Sequence, residues 1–199
     1  MAPPRKHETD VILDAARGLL LAEGPRAASV AAIAKASGAP VGTLYHRFGN
    51  RDGVVTAVWL RALERFQARV MAAAGSDPVD VAVQMAVAAV GFATDCNEDA
   101  RLLLTIRPSD LRDAEPDPEF TATVAAMNAP LADRVAVLAR QLYGDGDTRS
   151  VDAVTRAVVD LPYAVVRRHA YDEGMPPWVA ADLAASVRAV LTAHRTSSG

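Results

Sequence analysis

Apolar positions Ile12, Ala15, Ala16 and Leu19 recur at spacings of three, one and three, which lines one face of a helix over residues 8–22. Gly24 and Pro25 end it. The next polar residue, Ser29, is placed to cap a second helix by accepting from the free N–H of Ala31 or Ala32, with Val30, Ile33 and Ala34 on the buried side. Gly38 stops this helix after about two turns. Pro40 suits the first turn of a third helix, where a missing N–H is no loss. At about 100° per residue, Leu44 and Phe48 share one side of that helix while Gly42, Thr43 and His46 share the other. Two short helices joined by Ser37-Gly38-Ala39 describe a helix-turn-helix.

The same periodicity continues to the end of the chain. A fourth helix is predicted from Asn50, its cap, to about residue 73, with Val55, Val58, Trp59, Ala62, Phe66 and Val70 inward. Gly75-Ser76-Asp77-Pro78 breaks the pattern, and an apolar helix follows over 79–95. Asn97 starts a helix that ends at Arg107-Pro108, because the residue before a proline avoids the α region. A loop-like stretch precedes a helix from Pro118 or Glu119 to Tyr143, kinked or divided near Pro130. The polar turn "GDGDTRS" has Ser150 as its cap, and helices over 151–173 and 178–195 close the chain. Pro162 lies inside the first of these, where it bends the axis. No strand pattern competes, so the fold class is all-α.

Composition sharpens this picture in two ways. The chain is 51% hydrophobic but only 5% aromatic, so its cores are built of Ala, Val and Leu, a mix that favours helices at 3.6-residue spacing. The formal net charge is −3, yet residues 1–52 hold seven Lys or Arg against five Asp or Glu, a local +2. The remaining fourteen against nineteen leave −5 elsewhere. This asymmetry permits a local DNA footprint without demanding one. The charged opening "MAPPRKHETD" lacks the apolar stretch of a signal peptide, and the longest apolar run, 81–94, falls short of the ~18 residues that span a bilayer. A cytoplasmic location is expected. A lone Cys96 excludes an internal disulfide and a multi-cysteine zinc site.

The chemistry concentrates in the third helix. A major groove admits one α-helix, and Gly42 allows close backbone approach while Thr43, Tyr45 and His46 extend hydroxyl and imidazole groups toward bases and phosphates. Arg51 follows beside the capping Asn50. The stretch 12–58, "ILDAARGLLLAEGPRAASVAAIAKASGAPVGTLYHRFGNRDGVVTAV", resembles the DNA-binding domain of TetR-type transcriptional regulators. The shared elements are the alanine-rich first helix, the Ser cap, the IA..SG turn, GTLY..F and the polar start of the fourth helix. The resemblance implies phosphate contacts by Ser29, Tyr45 and Arg51, and base or backbone contacts by Val41, Gly42, Thr43 and His46. Where relatives often carry Ser, this chain has Pro40, and Arg51 stands where many have Lys.

The resemblance further implies a helix-turn-helix head over residues 1–49 and an effector-binding and dimerisation domain over 50–199. An effector cavity among the middle helices has Trp59, Met85, Phe92, Cys96, Arg107, Met127, Tyr163 and His169 as candidate lining. Val154, Val158, Leu161 and Val165, with Leu183, Val187, Val190 and Leu191, pack tightly either inside one subunit or across a two-fold axis, and the resemblance favours the latter. No GxSxG, GxGxxG, P-loop or multi-ligand metal pattern is present, so no enzyme, metal or cofactor is expected. His169 and Glu173 alone are too few for zinc. The expected partners are operator DNA, a small organic effector and a second copy of the chain. The competing reading is an all-α binding or enzymatic module with a vestigial helix-turn-helix.

Overall fold

The computed structural model describes residues 5–106 and 118–196. Ten helices follow one another, with no strand among the described residues. They gather into two compact units, one of residues 1–64 and 98–121, the other of 65–97 and 122–199.

In the first unit, α1 (Arg5–Glu23) buries Ile12, Leu13, Ala16 and Leu20. The expected stripe is thus rotated slightly: the i, i+4, i+8 row from Ile12 leads to Leu20, and Ala15 and Leu19 stay half-buried. Gly24 takes a φ of 84°, which only glycine adopts cheaply, and Pro25–Ala27 form a single 3-10 turn. Ser29 then caps α2 (Val30–Ser37), its Oγ accepting from the Ala32 N–H at 3.1 Å. Gly38, left-handed at φ 71°, ends α2.

Pro40 stands just outside α3 (Val41–Phe48), extended at ψ 138°, one place earlier than the first-turn position expected for it. Leu44 is 1% exposed and anchors α3 from beneath. The turn into α4 (Arg51–Met71) is tight: Asn50 caps it by accepting from the Gly53 N–H at 2.9 Å. A Cβ on Gly53 would sit 1.9 Å from the Phe48 carbonyl oxygen, so only glycine fits there. Val54, Val55, Val58, Trp59, Ala62 and Leu63 bury the inner side of α4. Also in this unit are most of α6 (Asn97–Thr105) and the first residues of α7 (Pro118–Tyr143). Trp59 donates its indole N–H to the Ile106 carbonyl at 3.1 Å and meets the Phe120 ring edge-on at 6.1 Å.

A ladder of charges joins α1 to α6 and α4 within the unit. Arg17 donates to Asp99 at 2.5 Å and to Glu98 at 2.6 Å, while Arg61 donates to Asp14 at 2.5 Å and to Asp10 at 3.1 Å. Asp14 also reaches Arg17 at 3.4 Å, linking the two rungs. Burial alone would lower the Arg17 pKa. The hydrogen bond to Asp99 and the field of Asp99, Glu98 and Asp14 outweigh it, so the pKa is raised and the guanidinium stays charged.

The second unit is built around α5 (Pro78–Asp95), which is apolar almost all round and packs against α9 (Leu161–Arg168) and α10 (Val179–Thr196). Asp77 caps α5, accepting from the N–H groups of Val79 at 2.7 Å and Asp80 at 3.2 Å. α7 runs through Pro130 as one helix, not two. The cap of α8 (Thr148–Thr155) is Asp147, accepting from the Ser150 N–H at 2.7 Å. Ser150, expected as the cap, lies inside the first turn and is buried.

Pro162 is accommodated by a change of helix type. Residues Arg156–Asp160 form a π turn in which the Leu161 N–H bonds the Arg156 carbonyl, five residues back. The missing N–H of Pro162 is absorbed just downstream of this wider turn. α9 ends at Arg168 instead of continuing to 173. Val154, Val158, Leu183, Val187 and Leu191, candidates for a two-fold interface, are all buried inside the unit by its own helices. Leu161, Val165 and Val190 are half-buried. No single described helix is long and apolar enough to cross a membrane.

Candidate nucleic-acid interface

α3 is eight residues long and strongly two-sided. Gly42 and His46 each stand two residues, about 200° of helical rotation, from the buried Leu44. Both are exposed. Tyr45, at 53% exposed, flanks them, and Val41 at 45% opens the face. Thr43 is half-buried at the edge. A Cβ added at Gly42 would meet nothing within 4 Å, so packing within the head does not demand glycine there. Beside the start of α3 lies an open hollow of about 410 Å³, lined by Val11, Ile12, Thr43 and the turn residues 37–40.

The remaining predicted DNA contacts are placed differently. Ser29 is exposed at the start of α2 with its hydroxyl engaged in capping. Arg51 is turned into the head: its Nη1 donates to Asp52 at 2.8 Å and its Nη2 to the Pro25 carbonyl. Its side chain is only 17% exposed. Arg47 is a further cation of α3, and it reaches back to the Thr9 hydroxyl of α1 at 2.9 Å. Arg26, not among the predicted contacts, is exposed on the 3-10 turn. A signal for it existed in the chain: a cation three residues before a helix cap.

A family model described as bacterial regulatory proteins of the tetR family matches residues 12–58, which cover α2, α3 and parts of α1 and α4. Residues 12–58 thus carry a DNA-binding segment of the tetR type. One curated relative is the HTH-type transcriptional repressor ComR of Escherichia coli, 38% identical over 66 residues, 33% of the chain and 31% of the relative. The chain thus aligns with about a third of that protein's length.

Solved structures match over much more. A TetR-like transcriptional regulator from a Rhodococcus species covers 100% of both chains at TM-score 0.71 and 20% identity. A TetR family transcription regulator from Marinobacter aquaeolei covers 93% of this chain and 95% of its own at TM-score 0.73 and 16% identity. At such identities the likeness is one of fold, an all-α architecture shared with these two regulators.

The candidate effector residues are scattered. Met85 and Phe92, seven apart on α5, share one buried face in the second unit, where Phe92 meets Phe66 edge-on at 5.4 Å. Cys96 and Met127 are half-buried in the same unit. Trp59 belongs to the first unit and is tied to Ile106. Tyr163 points outward, 48% exposed, its hydroxyl accepting from Arg167 at 3.2 Å. His169 sits at the end of α9 against Asp172 at 2.6 Å, not against Glu173. Arg107 lies outside the described residues. Among the described residues no cluster of His, Cys, Asp or Glu is arranged to hold a metal.

Proposed function

We propose that the protein is a homodimeric repressor that leaves a palindromic operator when a small organic effector binds. The observation that carries the DNA-binding part is the exposed face of α3, where Gly42, Tyr45 and His46 stand clear of a helix pinned by Leu44. A face of this width fits a major groove, with His46 and Thr43 toward base edges and Tyr45 toward a phosphate. Two such helices related by a two-fold axis would enter successive grooves roughly 34 Å apart. The repressor sense is supported by the name of the Escherichia coli relative.

Because Val154, Val158, Leu183, Val187 and Leu191 are occupied inside the subunit, the two-fold contact falls to the outward faces, with Tyr163 and Arg167 on α9 and Ala185 and Ala189 on α10. The effector would meet the apolar face of α5 at Met85 and Phe92. Effector and operator then oppose each other through one coupling free energy, with α4, whose residues belong to both units, as the lever. A gel shift with DNA from upstream of the protein's own gene tests the core of this reading. Specific retention that Tyr45→Ala and His46→Ala each weaken about tenfold supports it; weak binding that ignores sequence and both substitutions refutes it.

A further inference from the structure

Arg51 occupies the position where the resemblance implies a phosphate contact, yet its fork is already engaged. One arm donates to the Pro25 carbonyl and the other to Asp52 at 2.8 Å, with both side chains largely shielded at 17% and 19% exposure. A guanidinium neutralised by an adjacent carboxylate attracts a phosphate poorly, and Asp52 itself repels one. The residue that follows the gripped carbonyl is Arg26, exposed on the 3-10 turn and without an ion-pair or hydrogen-bond partner among the described residues. That turn is held locally by the Ala27 N–H on the Gly24 carbonyl at 3.2 Å and by the Ser29 N–H on the Ala27 carbonyl at 2.8 Å. Ala28 is fully buried beneath it. Arg51 adds a tie from a helix 26 residues further along the chain, and it fixes the peptide that leads directly into Arg26.

We propose that Arg51 is a positioning residue that holds the Pro25–Ala27 turn, and that Arg26, presented by this turn, makes the phosphate contact at this corner of the head. The inference rests on the DNA-binding reading above and refines it. It separates two roles that the resemblance assigns to a single cation.

The test uses the full-length protein and its Arg26→Ala, Arg51→Lys and double variants, titrated onto a labelled DNA duplex of arbitrary sequence across a salt series and followed by fluorescence anisotropy. Non-specific binding reports phosphate contacts and needs no known operator. Removing one phosphate contact flattens the dependence of log affinity on log salt by about 0.9 per engaged head, or about eightfold in affinity near ~0.1 M salt. Lysine keeps the charge but has no fork, so a phosphate contact at residue 51 survives Arg51→Lys, whereas a simultaneous hold on Pro25 and Asp52 does not.

The expected result is the same flattening for Arg26→Ala and Arg51→Lys, with no further loss in the double variant. A loss of fold stability alone would leave the salt slope of the folded protein unchanged. An Arg51→Lys protein that keeps the parent slope, or a double variant that loses twice as much, overturns the proposal. So does an Arg26→Ala protein with the parent slope, which settles the matter even without the Arg51 variant because Arg26 is exposed. A parent protein without salt-dependent binding refutes the DNA-binding reading first, and this inference with it.

Discussion

Replacing Gly53 by alanine should destabilise the head, against the usual trend for glycine inside a helix. In an unobstructed helix, Gly→Ala gains about 0.8–1 kcal/mol. At Gly53 the new Cβ would lie 1.9 Å from the Phe48 carbonyl oxygen and 3.0 Å from its carbon. The obstruction is backbone, so no side chain can swing aside; α3 and α4 must separate by more than 1 Å at their shared turn, a shift estimated from ordinary contact distances of ~3.4 Å. Overpacking of this kind costs about 1–3 kcal/mol or more, and the rigid neighbour places it at the upper end. After the propensity gain is subtracted, a net loss of about 2 kcal/mol remains. At about 2–4 °C per kcal/mol for a chain of this size, the melting midpoint falls by about 4–8 °C. Gly18 supplies the control: it is exposed within α1, and a Cβ there meets nothing within 4 Å, so Gly18→Ala should be stabilising. Thermal unfolding followed by circular dichroism compares the two. A Gly53→Ala protein as stable as the parent, or the same sign for both variants, would refute the steric argument.

Other consequences can be checked alongside. Leu44→Ala removes the anchor of α3 and should cost about 2–5 kcal/mol in denaturant titration, with DNA binding abolished as the head loosens. Tyr45→Ala and His46→Ala, both exposed, should change stability by less than about 0.5 kcal/mol while weakening operator retention about tenfold each. Asp99→Asn leaves Arg17 facing a neutral partner in a site where Asp99 is only 2% exposed, so a loss of about 3 kcal/mol is expected in denaturant titration. A change under about 0.5 kcal/mol there would mean that Glu98 and Asp14 satisfy Arg17 unaided.

What the sequence made legible was chiefly local. Ser29 as a cap, Gly38 as a stop, Asn50 at the start of α4 and Leu44 beneath α3 each depend on neighbours within four residues, where capping and periodicity operate. Even locally, a choice between adjacent polar residues failed. Asp147 and Ser150 are both good caps, and the helix begins at the first of them. The bonds of Arg51 to the Pro25 carbonyl and of Arg17 to Asp99 were out of reach, because they span 26 and 82 residues and only the fold brings those groups together. Apolar rows on α8 and α10 had the opposite difficulty. Val154 and Val187 have the spacing of any tightly packed helix pair, and periodicity does not say whether the other helix belongs to the same subunit.

The π turn at Arg156–Asp160 sets the orientation of everything after it. Buried positions Val154, Val158, Pro162 and Val166 recur every four residues, a row that an ideal α-helix would wind off its face by about 40° at each step. One wider turn takes up that winding and keeps the row pointed at the core. Deleting a single residue from it would leave both neighbouring helices formed, but it would swing Tyr163 and Arg167 by about 100° and bring a different set of side chains to the outer surface of α9.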